Sequence, residues 1–311
     1  MQTSSDKLSR MLILLGMPRL HFLIPGAAPV FVGSALGYAI AGSFHPFPAI
    51  LALFAMVAFN GGANMVNDYF DHLSGNDWLN KNFSPFSGGS GYIQKGIVSP
   101  RAMLLAGIIS LSIGAALGLV IVFLTKSVFI LILGIIGVLG GFFWTAPPVK
   151  WCYRCVGEPY IFTMFGLLPV YGAYYLQTNT IDFIPFFPAV IIGILIAMVA
   201  EINSFPDLQA DAAVNKRTLV VRFGVPAGVW VYRISILATY VLALIAMFIY
   251  RWMFWPGLFF LFTLPIAVVA IKFANEKELT TPGLYRANKI TIILHSAAAL
   301  MLTLGFVLAA F

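Results

Sequence analysis

Long uninterrupted apolar runs dominate the chain, and most of them end at charged residues or at proline and glycine. Each run is close to the roughly 20 residues that a helix needs to cross a bilayer, and none alternates between apolar and polar positions as the strands of a membrane β-barrel do. We predict nine membrane-spanning helices, at residues 20–42, 48–69, 102–124, 127–145, 159–177, 183–205, 230–250, 252–273 and 289–311. The pattern indicates an all-α polytopic membrane protein with one transmembrane domain over residues 1–311.

Composition agrees with this pattern and excludes soluble folds. The chain is 60% hydrophobic and only 9% charged, whereas a soluble domain has about 25% charged residues. The apolar run at 11–17 is too short to span a bilayer, and no small-residue cleavage site follows it. We therefore predict that residues 1–19 form a cytoplasmic amphipathic leader and not a removed signal peptide.

The positions of the basic residues predict the orientation in the membrane. Sixteen of the 18 Lys and Arg residues precede the first predicted span or lie in the loops that join an even-numbered span to the next odd-numbered one. Lys126 and Arg251 are the two exceptions. By the positive-inside rule the N-terminus and the even-to-odd loops are cytoplasmic, and the C-terminus lies outside.

Acidic residues are concentrated at the same face, and some of them lie inside apolar runs. The first group closes the second predicted span, where Asn64, Asn67, Asp68 and Asp71 are three, four or seven residues apart and Asp77 follows. This spacing places the four side chains in one stripe along a helix. Carboxylates at membrane depth cost about 2.5–3.5 kcal/mol each, so the stripe is expected to face a cavity rather than lipid.

A second acidic group closes the sixth predicted span. Asn203, Asp207 and Asp211 follow one another at intervals of four, and Pro206 is expected to kink or end the helix. Both groups contain Asn-x-x-x-Asp at the cytoplasmic end of an even-numbered span. The repetition suggests a weak internal duplication, with acidic motifs at 64–77 and 203–211.

Oxygen ligands without His or Cys favour a hard cation. Mg²⁺ typically binds one or two carboxylates together with substrate phosphates. Two facing acidic stripes therefore indicate Mg²⁺ ions that hold a diphosphate between them. The alternative is that both stripes are helix ends with solvated carboxylates.

Basic loop residues bracket the two stripes and are candidates for contacts to the phosphate oxygens that the metal leaves free. They are Lys95, Lys150, Arg154, Lys216 and Arg217, and Tyr153, next to Arg154, is a further candidate. Each basic side chain could equally be a topology determinant only. Cys152 and Cys155 form a lone C-x-x-C that lacks the further ligands of a structural zinc site.

Such a site suits one reaction class. An allylic diphosphate whose leaving group is neutralised by Mg²⁺ and basic side chains ionises to a carbocation, and an aromatic pocket protects that cation until an acceptor carbon captures it. A polyprenyl tail is itself a hydrocarbon, so the bilayer is the natural location for this enzyme.

At these residues the sequence resembles the UbiA superfamily of intramembrane prenyltransferases. Asn67-Asp68-Tyr69-Phe70-Asp71 resembles the first aspartate-rich motif of that family, and Asp207-x-x-x-Asp211 resembles the second. Within the superfamily the chain is most similar to the polyprenyltransferases that act on 1,4-dihydroxy-2-naphthoate in menaquinone synthesis. The resemblance implies nine helices around a central cavity that opens to the cytoplasm.

The resemblance also implies roles for individual residues. Asn67, Asp71, Asp207 and Asp211 would be the principal Mg²⁺ ligands, with support from Asp68 and Asp77. Arg19 would help to orient the acceptor. Polyprenyl diphosphate, an aromatic acceptor and the lipid bilayer are the implied partners, and nucleic acid is not.

Other functions remain open at this point. The same fold could transfer the prenyl group to a hydroxybenzoate, haem, chlorophyll-type or glycerol-phosphate acceptor, or could cyclise a terpene. A cation-coupled transporter is the alternative from another class. Transporters, however, bind coupling ions near the bilayer midplane, whereas these acids lie at one end of the helices.

Overall fold

The structure is a computed structural model that describes Ile13, residues 16–82, Ser84, Phe86 and residues 88–310. The predicted leader at 1–19 therefore lies mostly outside the described residues. Within them the chain is predominantly helical, and the longest connections follow Leu79 and Phe143. The fifteen α-helices of this part of the chain are α1 (Leu20–Ala41), α2 (Pro46–Ser74), α3 (Asn76–Leu79), α4 (Pro100–Thr125), α5 (Val128–Phe143), α6 (Gly157–Phe162), α7 (Leu168–Thr178), α8 (Phe186–Ser204), α9 (Leu208–Ala213), α10 (Leu219–Phe223), α11 (Val225–Ile249), α12 (Phe254–Leu261), α13 (Leu264–Phe273), α14 (Glu276–Thr280) and α15 (Arg286–Ala309).

Six of these helices are long and apolar enough to cross a membrane, namely α1, α2, α4, α8, α11 and α15. A seventh span results if α12, with the 3₁₀ turn before it, is joined to α13 across a bend of 54°. The two other predicted spans are helical but differ from a plain span. One is α5, with 16 residues, and the other is α6 and α7 joined by a π-helical turn at Thr163–Leu167. The protein is a multi-pass integral membrane protein.

Local capping explains several helix ends. The Ser99 hydroxyl accepts a hydrogen bond from the Ala102 N–H at the start of α4, and the Ser127 hydroxyl accepts one from the Ile130 N–H at the start of α5. Gly75 ends α2 with φ of 81°, a left-handed conformation that glycine adopts without steric cost. Helix α2 therefore continues to residue 74, five residues beyond the predicted end of its span.

Helices α1 and α8 are the inner helices, since most of the residues in their apolar stretches are buried. Around them pack α7, α11 and α15. The π-helical turn approaches α8 so closely that a Cβ atom added to Gly166 would lie 2.2 Å from the Gly193 Cα. Small residues allow this backbone contact, which in a membrane supplies the packing that apolar side chains alone do not.

The outer helices expose large apolar side chains. Phe123 on α4 is 82% exposed and Phe248 on α11 is 90% exposed. In water such surfaces would favour aggregation, but in a bilayer they face lipid chains. Polar residues of α2 and α8, among them Asn64, Asn67 and Asn203, instead line an internal cavity.

Candidate active site

The polar stripe at the end of α2 lines an internal cavity. Asn64 donates a hydrogen bond from Nδ2 to the Pro18 carbonyl at 3.0 Å, and Asn67 donates from Nδ2 to Asp71 Oδ2 at 2.9 Å. Both asparagines and Asp71 line the cavity. The sequence places them there because apolar neighbours occupy the other faces of the helix and pack against α4.

Asp68 is turned to the side of this stripe and is almost completely buried. Its carboxylate accepts hydrogen bonds from the Arg19 guanidinium and from the Ser90 N–H. Arg19 also donates to Asn67 Oδ1 at 3.2 Å. Arg19, predicted as an acceptor contact, thus lies on the first acidic motif and lines the cavity.

The turn at Gly75 returns the chain over the cavity and brings amide side chains to the second motif. Asn76 donates from Nδ2 to Asp211 Oδ1 at 2.8 Å, and Asn80 donates from Nδ2 to Asp207 Oδ1 at 2.6 Å. Sequence reasoning missed both asparagines, although their place directly after the first motif is a signal that could have been used. Through them the two acidic motifs, distant in sequence, share one site.

A lysine joins the motifs directly. Lys216 Nζ lies 3.4 Å from Asp71 Oδ2 and 3.3 Å from Asp211 Oδ1. Burial alone would lower the pKa of Lys216, but the carboxylates of Asp211 and Asp71 raise it well above its usual value. The side chain is therefore a permanent positive charge between the two motifs.

The acidic side chains repel one another where the lysine does not balance them. Burial, together with the charges of Asp71 and Asp68, raises the pKa of Asp77 to about 8. Burial, together with the charge of Asp211, raises the pKa of Asp207 to about 7. Additional positive charge at this site would relieve the repulsion.

The donor set fits Mg²⁺. Asp71 Oδ1 is buried without a hydrogen-bond partner in the described part of the chain, and the nearby donors are oxygens of Asp and Asn, which Mg²⁺ prefers. In this same part of the chain no group of three His, Cys, Asp or Glu side chains is arranged to hold a metal unaided. Ions of this kind usually take further ligands from substrate phosphates and water.

The cavity has a volume of about 250 Å³ and continues from the acidic motifs into apolar surroundings. Asn203, Asp207 and Asp211 line it from α8 and the segment that follows. Asn203 Oδ1 accepts a hydrogen bond from Asn288 Nδ2 at 2.8 Å. The apolar lining includes Phe22, Met56, Phe59, Ile161, Met164 and Phe165. The cavity thus has a charged end and a hydrocarbon-like end.

The other predicted basic residues are not brought to this cavity. Lys150, Arg154 and Arg217 line a second cavity. Tyr153 lines it too, with Lys150 Nζ over its ring, but its hydroxyl is close enough to the first motif to be affected by the charge of Asp71. The sequence neighbours Cys152 and Lys216 line the first cavity instead. Lys95 is exposed on the loop after the first motif and lines neither cavity.

Transmembrane helices that enclose a cavity with paired acidic motifs at one end define an intramembrane enzyme rather than a structural bundle. The chain belongs to the UbiA prenyltransferase family, whose profile matches residues 27–290. It is accordingly a transferase, and the family predicted from the two motifs is confirmed.

Curated relatives are similar over most of the chain. The 1,4-dihydroxy-2-naphthoate octaprenyltransferase of Haemophilus influenzae is 29% identical over 289 residues, which cover 89% of this chain and 91% of that protein. The enzyme of the same name from Escherichia coli is 32% identical and covers 63% of this chain and 64% of that protein. The 2-carboxy-1,4-naphthoquinone phytyltransferase of Synechocystis is 25% identical, with coverages of 89% and 87%.

Solved structures share the fold. A UbiA homologue from Aeropyrum pernix superposes with a TM-score of 0.65 at 14% identity, covering 92% of this chain and 97% of that one. A UbiA homologue from Archaeoglobus fulgidus bound to DMAPP and Mg²⁺ gives a TM-score of 0.64 at 16% identity, with coverages of 94% and 97%. At these identities the likeness concerns the fold alone.

Proposed function

We propose that the protein transfers a polyprenyl group from an allylic polyprenyl diphosphate to an aromatic acceptor, 1,4-dihydroxy-2-naphthoate, and releases diphosphate in a Mg²⁺-dependent reaction. The observation that carries the proposal is the bridge from Lys216 to Asp71 and Asp211 at the mouth of a cavity whose other end is apolar. The names of the relatives support the acceptor, and the bound ligands of the Archaeoglobus fulgidus homologue support the donor and the metal.

In this proposal the chain's own residues hold the leaving group and exclude water. Asn67, Asp71, Asp207 and Asp211 hold Mg²⁺, with Asp68 and Asp77 in support. When bound, Mg²⁺ neutralises the diphosphate and so assists its departure. Lys216 is already charged and stands between the motifs, where it stabilises the same negative charge.

The apolar end of the cavity receives the first isoprene units. Phe59 and Phe165 line it, and their ring faces stabilise a developing allylic cation. Asn64, Asn203 and Arg19 line the cavity, and in this proposal they contact the substrates. The phosphate contacts predicted for Lys95, Lys150, Tyr153, Arg154 and Arg217 stay predictions, because none of these residues lines the cavity.

The proposed orientation follows the charge pattern. We propose nine spans, in which α5, the interrupted pair α6 and α7, and the bent pair α12 and α13 each cross the membrane. The N-terminus and the mouth of the cavity then face the cytoplasm, and the C-terminus lies outside. The basic loops support this arrangement by the positive-inside rule.

The experiment uses the purified protein in lipid with Mg²⁺, one allylic diphosphate and a panel of acceptors, and the products are identified by mass spectrometry. We expect prenylated naphthoate product from the unmodified chain. EDTA, Asp71→Ala and Asp207→Ala should each abolish it, because each removes the metal or an oxygen that holds it. Full activity in either variant, or with EDTA, would contradict the proposal.

The panel also separates the related reactions. A prenylated hydroxybenzoate, haem, chlorophyll-type or glycerol-phosphate product in place of the naphthoate product would reassign the acceptor. A cyclic hydrocarbon formed together with diphosphate in the absence of any acceptor would indicate terpene cyclisation. Asp182→Ala is a matched control, since this acid lies away from the cavity and accepts hydrogen bonds from Tyr174 and Thr180.

A further inference from the structure

Besides the acidic side chains, the cavity carries polar atoms that the protein leaves without partners. The Thr218 Oγ1 and the Tyr160 hydroxyl are both buried and have no hydrogen-bond partner in the described part of the chain. Both residues line the cavity. Buried polar groups in folded proteins are nearly always hydrogen-bonded, so these two hydroxyls indicate a polar ligand in the cavity.

The cavity also has a flat aromatic wall. The rings of Trp144 and Tyr160 are stacked, with centroids 5.1 Å apart and planes 28° apart. The Trp151 ring also stacks on the Tyr160 ring, with centroids 5.9 Å apart and planes 25° apart. The paired rings are thereby fixed in orientation. A planar aromatic ligand fits against such a wall by offset or edge contact.

Two glutamates stand beside this wall. Glu158, at the start of α6, lines the cavity, and Glu201 on α8 is fully buried behind it. A Cβ atom added to Gly228 would lie 2.8 Å from Glu201 Oε1, 2.6 Å from Val220 Cγ1 and 2.8 Å from Phe205 Cζ. Glu201 therefore lies among apolar groups.

Neither glutamate has a salt bridge with a basic residue in the described part of the chain. Both oxygens of Glu201 lack a hydrogen-bond partner there, and Glu158 is the acid whose charge acts on it. The other titratable groups nearby are Arg222 and Cys155, and the Cys155 thiol interacts electrostatically with both carboxyl groups. Glu158 thus lines the cavity without forming an ion pair in the described part of the chain.

The two carboxyl groups differ in position. Glu158 lines the cavity, whereas Glu201 does not reach it. A carboxyl group that lines a cavity can accept a hydrogen bond from a hydroxyl group of a ligand, and an ionised one accepts it strongly, because charge shortens and strengthens the bond.

We propose that the cavity binds the acceptor, a planar hydroxyaromatic molecule, beside these residues, with Glu158 accepting a hydrogen bond from a ring hydroxyl. This inference rests on the proposed prenyl transfer and adds the site of the acceptor to it. Trp144 and Tyr160 contact the ring, and the Thr218 hydroxyl forms a hydrogen bond with a second polar group of the acceptor.

The hydrogen bond has a chemical use beyond binding. A carboxylate that accepts a hydrogen bond from a phenolic hydroxyl increases the electron density of the ring. The ring carbon that attacks the allylic cation becomes more nucleophilic as a result. The acceptor should therefore be recognised by its hydroxyl group and not only by its shape.

The test compares a hydroxyl-bearing acceptor with its O-methyl ether in the purified enzyme. In Glu158→Ala the KM for the hydroxyl acceptor should rise about 10-fold or more, while the KM for prenyl diphosphate changes by less than about twofold. The preference for the hydroxyl acceptor over the ether should disappear. Glu276→Ala is the matched control, since Glu276 begins α14 and does not line the cavity.

An unchanged acceptor KM in Glu158→Ala would overturn the inference. Glu158→Gln, which keeps the side-chain volume, replaces Glu158→Ala if that variant does not fold.

The two proposals can fail separately. If the unmodified chain prenylates no hydroxyaromatic acceptor, then the proposed function itself is wrong. If the unmodified chain makes the product and Glu158→Ala discriminates between the two acceptors as well as the unmodified chain does, only the acceptor site is wrong. Mg²⁺-dependent binding of prenyl diphosphate to each variant serves as the measure of folding.

Discussion

Lys216 is the residue on which the charge balance of the site depends. It contacts Asp71 of one motif and Asp211 of the other, and its cation offsets part of the repulsion between them. The sequence identified Lys216 as one basic residue among several near the motifs. The sequence could not show that Lys216, rather than its neighbour Arg217, points toward the cavity. Side-chain direction can be predicted from the repeat of a helix or a strand, and a loop has no such repeat.

Gly89 shows how closely the loop after the first motif fits the carboxylates. Its φ is +76°, and an added Cβ would lie 2.7 Å from Asp77 Oδ2 and 3.2 Å from Asp68 Oδ1. Gly96 in the same loop has φ of +66° but has nothing within 4 Å of an added Cβ. The two glycines therefore share the backbone strain but not the steric contact.

We expect Gly89→Ala to lower kcat/KM for prenyl diphosphate about 10-fold or more relative to Gly96→Ala, since a 1.4 kcal/mol displacement penalty corresponds to a factor of ten. Both variants place an alanine in the left-handed backbone region, which costs about 1–2 kcal/mol, so the thermal stability of both variants should fall by a similar amount. Steady-state kinetics and thermal unfolding in detergent measure the two effects. Equal kinetics in the two variants would contradict a role for close contact at Gly89.

At the scale of elements, the apolar runs predicted where helices occur but not how they are interrupted. The predicted span at 159–177 contains a π-helical turn at Thr163–Leu167, and the span at 252–273 is bent by 54°. Neither interruption changes the hydrophobic period, since the residues are apolar on either side. The π turn has a consequence for the site, because Met164 and Phe165 within it line the cavity.

The fit of this turn against α8 is open to a direct test. Gly166→Ala would place a methyl group 2.2 Å from the Gly193 Cα, so one of the two backbones must move. We expect the free energy of unfolding to fall by about 1–3 kcal/mol, as for other overpacked contacts. Gly134→Ala on α5 is the control, because nothing lies within 4 Å of its added Cβ. Equal unfolding midpoints for the two variants would show that the helices are not in close contact.

At the scale of the whole molecule, much of the site could be predicted because charged residues are rare in membrane-spanning sequences and stand out there. The motif residues Asn67, Asp71, Asp207 and Asp211 are polar positions at the ends of apolar runs, and the structure brings them to one cavity. Asn76 and Asn80 do not stand out in this way because they lie in and directly after the short helix α3, outside any apolar run, where a polar side chain is ordinary. The internal duplication stays a prediction.

Orientation is testable on the intact protein. In a background with Cys152→Ala and Cys155→Ser, single cysteines are introduced as Lys126→Cys and Lys277→Cys. An impermeant thiol reagent applied from outside should label the first and spare the second, because their loops are predicted on opposite faces. Labelling of both after permeabilisation is the control for access. The reverse pattern in intact cells would invert the proposed topology.

The length of α2 sets the depth at which the reaction takes place. Its 29 residues correspond to about 44 Å, whereas the hydrocarbon layer is about 30 Å thick. In the proposed orientation the last turns, which carry Asn67 and Asp71, therefore extend to the level of the lipid head groups. A prenyl diphosphate that enters the cavity as proposed keeps its phosphates in the polar layer and its tail among the acyl chains. The proposed encounter is thus a two-dimensional search within one leaflet, and the concentration that governs saturation is the mole fraction of substrate in the lipid rather than its molarity in solution.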